Sequence, residues 1–240
     1  VELEVGMSAS VNDNAEMKPR RRIRSFVLRA GRMTPAQQSG LELHWPQKGL
    51  LSEHGLLNIE NAFGRQAPTV LEIGFGMGTS LLQMAQTSAE KNFIGIEVHR
   101  PGVGKLLHDM ADAGVENIRI YCDDAVEVLQ QCVADASLAA VQIFFPDPWH
   151  KKKHHKRRLI QPEFVQLLHT KLQRGGTLHI ATDWQNYAEH ILMVMQALPN
   201  FCNQAGEGYA PRPEYRPKTK FEQRGERLGH DVWDIIFTTI

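Results

Sequence analysis

Apolar and polar positions along the chain follow two periods. Five short runs are near-continuous in branched and aromatic residues and end at a glycine or an acid: TVLEIGFG (69–76), NFIGIEVH (92–99), NIRIYCDD (117–124), AAVQIFFPD (139–147) and GGTLHIATD (175–183). Each predicts a strand buried on both faces. Between them the spacing changes. Val103, Leu106, Leu107 and Met110 recur at helical intervals, as do Val126, Leu129 and Val133. Over 161–173, Pro162 stands where a first-turn proline is tolerated, and Gly175 and Gly176 follow the end. This alternation predicts an α/β fold in which helices cover both faces of a parallel sheet. The last run, DVWDIIFTTI, follows a long stretch rich in glycine and proline instead of a helix. It is therefore expected to join the sheet antiparallel, as part of a terminal hairpin.

With 240 residues and 42% hydrophobic content the chain can bury a full core, which predicts one domain over 20–240. The polar, aromatic-poor start predicts a disordered tail over 1–19, and residues 1–6, ahead of Met7, read as an appended remnant. The 27 lysines and arginines balance 27 acids, so a uniformly basic coat for nucleic acid is excluded. Clustering changes the picture: 19 of the 27 cations fall in 18–32, 151–158 and 212–227, and of these segments only the last contains acids. Cys122, Cys132 and Cys202 have neither an even count nor a CxxC spacing, which argues against disulfides and a zinc knuckle and for a reducing cytosol. No apolar run approaches the roughly 20 residues of a membrane span. A soluble, cytoplasmic protein without a membrane partner is expected.

Open parallel sheets bind ligands beyond the carboxyl ends of their strands, where strand order reverses. At the end of the first run, Glu72 precedes Gly74, Gly76 and Gly78. The dinucleotide fingerprint is GxGxxG; here the third glycine comes one residue early, and Glu72 would crowd a pyrophosphate. A ligand carrying a positive charge and an amino group fits better, and S-adenosylmethionine has both. Glu97 closes the second run, where a carboxylate can accept from both ribose hydroxyls. Asp124 closes the third, placed to accept from an adenine amino group, with Ala125 flat against the ring. Glu97 could equally be a solvated strand end, and Asp124 a helix cap; capping and cofactor binding are compatible. Three acids at consecutive strand ends beside GxGxG favour the cofactor reading.

The fourth run ends in Phe144-Phe145-Pro146-Asp147-Pro148-Trp149. Both prolines fix φ, and Pro148 biases Asp147 toward extended backbone, so its carboxylate projects in a defined direction over the ligand edge. In isolation such a turn serves the backbone; beside a cofactor it serves alignment for in-line methyl transfer.

The segments GFGMG, IEVHRPGVG, FFPDPWHKKKHHKRR, ATDWQNYAEH and TKFEQRGERLGH resemble, in order and over most of 20–240, the motif series of the bacterial tRNA (guanine-N7)-methyltransferases. The resemblance implies a Rossmann-like, doubly wound, mostly parallel sheet of seven strands with an antiparallel C-terminal strand. It implies methyl transfer from S-adenosylmethionine to N7 of a guanosine in the tRNA variable loop, position 46, by a monomer or homodimer. Carried over by motif, the cofactor residues are Glu72, Glu97, Asp124 and Asp147; the substrate residues are Lys151, Asp183, Thr219, Lys220, Phe221 and Glu222. The RNA-contact segment is Lys153, His154, His155, Lys156, Arg157 and Arg158.

Guanine N7 carries a lone pair and no hydrogen, so no general base is required. Asp147, the candidate catalytic residue, together with Asp183 either holds the Watson–Crick edge of guanine or offsets the charge the ring gains. Asp183 could also cap the helix expected from Trp184. The acid-free basic run predicts a phosphate-binding surface with steep salt dependence. A second arm, 20–32, adds cations, with Phe26 available to stack on a base. Trp149 either stacks on the target base or fills the sheet edge. The His150–His154 spacing could suggest a metal, but the lysines between them repel cations and no metal is expected. The competing readings are a methyltransferase of another RNA or of a protein, and a non-catalytic RNA-binding module.

Overall fold

A computed structural model describes residues 24–27, 31–219, 222 and 231–240. The tail expected over 1–19 and the substrate candidates Lys220 and Phe221 lie outside the described residues. Among those described, eight strands form one sheet: β1 (Gly49–Leu50), β2 (Thr69–Ile73), β3 (Asn92–Ile96), β4 (Ile118–Tyr121), β5 (Leu138–Phe144), β6 (Leu172–Thr182), β7 (Phe201–Asn203) and β8 (Trp233–Thr239). Their order is β1-β4-β3-β2-β5-β6-β8-β7. The expectation of seven strands is corrected by β1, a two-residue edge pairing parallel with Ile120 and Tyr121 and too short to show a period in sequence. The pairings from β1 through β6 are parallel, and β8 runs antiparallel between β6 and β7. The terminal pair is thus a strand inserted next to β6, with only three registered residue pairs joining it to β7.

Seven helices accompany the sheet among the described residues: α1 (Pro35–Lys48), α2 (Ile59–Phe63), α3 (Thr79–Thr87), α4 (Arg100–Asp112), α5 (Ala125–Gln131), α6 (Pro162–Lys171) and α7 (Gln185–Gln196). Alternate residues of each central strand enter two cores. Leu71, Ile73, Val141, Ile143, Leu178 and Ile180 face α5, α6 and α7. Val70, Phe93, Ile118 and Ile120 face α3 and α4, whose Leu81, Met84, Val103, Leu106 and Met110 are buried against them. That alternation explains why the runs read as continuously apolar.

Helix α1 escapes an apolar-periodicity reading because Gly40 is its only buried residue and Pro46 lies inside it. It starts with a capping box: Thr34 Oγ1 accepts from Gln37 N, and Gln37 Oε1 accepts from Thr34 N. It docks by backbone approach to α4. A Cβ on Gly40 would stand 2.2 Å from the Gly104 carbonyl oxygen, and one on Gly104 would stand 2.2 Å from that of Gln37.

From β2 the chain winds outward through β3 and β4, then returns to place β5 on the other flank of β2. The reversal lies between the carboxyl ends of β2 and β5, the crevice where a doubly wound sheet binds its ligand. The glycine turn and the Pro-Asp-Pro segment are the two loops leaving those ends.

Candidate active site

At β2 the ladder runs directly into the glycine turn. Gly74 N donates to Ile96 O at 2.8 Å, and Gly74, Gly76 and Gly78 have φ of 77°, 59° and 77°, a region that costs other residues a steric penalty. Glu97 holds the turn: its Oε2 accepts from Gly76 N at 2.8 Å and its Oε1 from His99 N at 2.9 Å. The first turn of α4 presses on the same loop, since a Cβ on Gly102 would lie 2.0 Å from the Gly76 carbonyl oxygen.

Beneath the turn stands Glu72, 2% exposed, with its Oε2 lacking a hydrogen-bond partner among the described residues. Burial, and then the neighbouring Glu97 charge, push its carboxyl up to about 8 from an ordinary 4.5. An orphaned buried acceptor is costly, and a cation reaching it would restore the ionised form.

The third strand end supplies Asp124, whose Oδ1 accepts from Val126 N at 2.9 Å and caps α5. Asp123 accepts from Asp124 N at 2.8 Å and from the Ser52 hydroxyl. A cavity of about 570 Å³ opens here, its polar lining drawn from Glu97, Asp123, Asp124 and Asp147, with Ala125, Ile73, Ile96 and Leu159 as apolar wall. Ser25, Phe26 and Val27 of the N-terminal arm close another side.

Asp147 reaches the cavity through two unusual backbone angles. Phe145 (φ 53°) and Trp149 (φ 46°) adopt left-handed conformations on either side of the Pro-Asp-Pro segment, each costing about 1–2 kcal/mol for a residue with a Cβ. Asp147 Oδ1 accepts from Trp149 N at 3.0 Å. The backbone role and the cavity role therefore coexist in one carboxylate, whose second oxygen is uncommitted among the described residues.

Trp149 lines the same cavity and is braced from behind by the arm and the basic segment. Its Nε1 donates to Ser25 O at 3.0 Å, and the Arg157 guanidinium lies 3.9 Å from its ring centroid. Arg157 also donates to the carbonyls of Arg24 and Phe26. The arm is thus seated on the start of the basic segment, and Phe26, read from sequence as a base-stacking residue, faces the cavity.

The basic run forms a 3₁₀ turn, Lys152–Arg157, with Lys151, Lys152, Lys153 and Lys156 exposed and His154 and His155 half-buried. Partial desolvation and the surrounding cations hold His154 below the usual histidine range. Arg158 corrects the sequence reading. It is 3% exposed; its Nε donates to Pro148 O at 2.9 Å, its Nη2 to Asn186 Oδ1 at 2.7 Å, and its guanidinium lies 4.8 Å from the Tyr187 ring centroid. It clamps the Pro-Asp-Pro loop to α7 and is not on the cationic surface.

Asp183 is exposed and lines a second, open depression with Trp184, Glu189, Asp231 and Trp233. It does not cap α7: the cap position is Trp184, whose N donates to Thr182 Oγ1 at 3.3 Å. Thr219 and Glu222 bond reciprocally, Glu222 N to Thr219 Oγ1 at 3.1 Å and Thr219 N to Glu222 Oε2 at 3.3 Å.

Residues 66–235 match a family model described as a putative methyltransferase. A protein of Alcanivorax borkumensis named tRNA (guanine-N(7)-)-methyltransferase is 60% identical over 221 residues, 92% of each chain. One of the same name from Shewanella sp. (strain MR-4) is 59% identical over 228 residues, 95% of this chain and 96% of that one. The chain belongs to the tRNA (guanine-N(7)-)-methyltransferase family. Among solved structures, the 16S rRNA methyltransferase KamB aligns with a TM-score of 0.57 over 77% of this chain and 94% of its own, at 13% identity. The antibiotic-resistance methyltransferase Kmr aligns at 0.52 over 80% and 94%, at 11% identity. Likeness at such identities bears on the fold alone.

In this family member the fold gathers Gly74, Glu97, Asp124, Ala125 and Asp147 around one cavity, with Gly76 and Gly78 continuing the turn that Gly74 opens and Glu72 two residues before it on β2. Asp183 lines the second depression, Glu222 is bonded to Arg216 and Thr219, and Lys151 stands at the head of the basic turn. Sequence reasoning missed Arg216, His179 and Asp234, which are buried together. Their signal is a polar residue at an inward position of an otherwise apolar strand, as in TLHIAT and VWDIIF.

Proposed function

We propose that the protein transfers a methyl group from S-adenosylmethionine to N7 of the guanosine at position 46 in the variable loop of tRNA, in the cytoplasm. One observation carries the reading: in a chain of this family, the cavity at the point of strand reversal has Asp147 on its rim, closely followed in the chain by a run of exposed lysines. The residues present fit the cofactor. Glu72, with an orphaned oxygen under the glycine turn, matches a ligand bearing an ammonium group, and the positive-φ glycines let backbone N–H groups approach it without a Cβ between. S-adenosylmethionine supplies a methyl group on a sulfonium centre. Glu97, although it clamps the turn, retains lone pairs for ribose hydroxyls; Asp124 and Ala125 form the wall for the adenine.

Because N7 bears no proton, the side chains act by alignment and charge. Asp183, exposed to solvent, accepts from the donors of the guanine Watson–Crick edge. Asp147, its geometry fixed by Trp149 N and by the Arg158 clamp on Pro148, offsets the positive charge the ring acquires. Lys151, Lys152, Lys153 and Lys156 hold phosphates of the tRNA. The test is transfer of label from S-adenosylmethionine to unmodified tRNA, followed by strand cleavage specific for N7-methylguanine. Cleavage at the variable-loop guanosine is expected; tRNA binding without label would leave an RNA-binding module as the better reading.

A further inference from the structure

On the face of α3 and α4, the ends of β5, β6 and β8 meet the turn and coil of residues 215–219 together with Glu222. Coil has no internal ladder of hydrogen bonds, so other contacts must fix it. Here they centre on Arg216, 1% exposed.

Arg216 Nε and Nη2 donate to Asp234 Oδ1 and Oδ2 at 2.7 and 2.8 Å, while Nη1 and Nη2 donate to Glu222 Oε2 and Oε1 at 2.7 and 2.9 Å. The rings of Phe144 and Phe145 lie 5.9 and 5.8 Å from the guanidinium. Asp234 Oδ1 is also 2.7 Å from His179 Nε2, and His179 Nδ1 is 2.8 Å from the Tyr215 hydroxyl. Burial works to raise the Asp234 carboxyl, but the bonds from His179 and Arg216 outweigh it and hold it low. An ionised carboxylate only accepts, so Nε2 carries the hydrogen, and a neutral His179 accepts from Tyr215 at Nδ1. Burial pushes His179 below its ordinary value, in keeping with the neutral ring.

Two buried carboxylates on one guanidinium are a poor device for stability, since an apolar cluster of equal volume commonly does as well or better. What the cluster does specify is position. Asp234 pairs across the ladder with Ala181, two residues before Asp183, and Glu222 holds Thr219 through the reciprocal pair already described. A guanine could reach the Glu222 carboxylate, 3% exposed, only by leaving guanidinium donors buried and unpaired.

We propose that Arg216 is a positioning residue for methyl transfer, tying Glu222 to Asp234 so that Thr219 is held against the end of β6, and that Glu222 acts through Arg216 without touching guanine. This rests on the reading of tRNA methylation given above. The test is a cycle of Arg216→Lys, Thr219→Ala and the double variant, with Glu222→Gln measured beside them. Readouts are kcat, KM for tRNA, S-adenosylhomocysteine affinity by calorimetry, and thermal unfolding.

Misplacement of an aligned group costs on the order of 10–100-fold. Arg216→Lys and Glu222→Gln are therefore expected to lower kcat by about that factor, with KM for tRNA and cofactor-product affinity within about twofold. The double variant should be no slower than the worse single one, because both changes break one unit. Multiplicative losses in the cycle, or a Glu222→Gln variant with raised KM and unchanged kcat, would overturn the proposal. Should Arg216→Lys fail to fold, Tyr215→Phe, which removes only the hydroxyl on His179, carries the test: a kcat lowered about threefold with unchanged unfolding temperature supports it, and unchanged kcat overturns it. Wild-type protein that methylates no tRNA would instead defeat the functional reading.

Discussion

Replacing Glu72 by glutamine removes a buried charge without changing shape, and the structure fixes the sign and scale of the effect. Glu72 is 2% exposed, has an unpartnered Oε2 among the described residues, and titrates at about 8 where an exposed carboxyl titrates at 4.5. Between those values the folded chain keeps a proton that the unfolded chain releases, so stability falls as pH rises through the window and levels off above it. At about 1.4 kcal/mol per pH unit, the full difference is on the order of 5 kcal/mol, reached only if water and side-chain movement relieve none of the burial penalty. Glu72→Gln does not titrate. The variant should match wild type near pH 4.5 and become progressively more stable than it up to pH 8, with the gap constant beyond. Urea unfolding of both proteins at intervals from about pH 5 to 9 measures this directly, because titrating groups that do not interact with Glu72 cancel in the difference. Parallel stability curves would refute the reasoning. The same logic gives a second readout: an ammonium ligand beside Glu72 favours the carboxylate, so S-adenosylmethionine binding near pH 7 should release a proton. Calorimetry in two buffers of different ionisation enthalpy should detect that release in wild type and not in Glu72→Gln.

Exchanging Lys152, Lys153 and Lys156 for glutamine should raise KM for tRNA and flatten the salt dependence of binding by roughly 0.7 in log–log slope for each phosphate no longer neutralised. Arg158→Ala should leave that slope unchanged and lower the unfolding temperature and kcat instead, since it frees Pro148 and strands Asn186. Asp147→Ala should reduce kcat by at least about 100-fold, the scale of a missing preorganised charge, while filter binding of tRNA stays within about twofold; full activity would remove Asp147 from the mechanism. Gly102→Ala should weaken S-adenosylhomocysteine binding, because its methyl group would sit 2.0 Å from the Gly76 carbonyl oxygen and displace the glycine turn; equal calorimetric affinity would show that the turn yields freely.

The parts of the fold legible in sequence are those written in local periodicity. Leu71, Ile94, Ile120, Val141 and Ile180 sit on central strands with both faces covered, and such strands announce themselves as apolar runs ending at the site. What stayed hidden depends on contacts between distant segments. Helix α1 packs through Gly40 against Gly104, and no hydropathy pattern encodes a missing side chain. Arg158 looks like its neighbours in a basic run, yet it is spent on Pro148 and Asn186. The strand-end acids were legible because they are adjacent to turns; the reach of Glu97 back to Gly76 was not, because it crosses from one strand end to another. The charge cluster on Arg216 joins residues 18 and 55 positions apart in sequence, with only His179 and Asp234 in apolar strands as a sign of it.

The central claim is that one nitrogen of one nucleotide accepts the methyl group with no proton removed from it. The most direct measurement uses two synthetic tRNAs, identical except that the guanosine at position 46 is replaced in one by 7-deazaguanosine, which has a C–H where N7 would be. The account predicts equal binding of both by the wild-type protein, with label transferred from S-adenosylmethionine to the first and none to the second. Label on the 7-deaza tRNA in equal amount would contradict it.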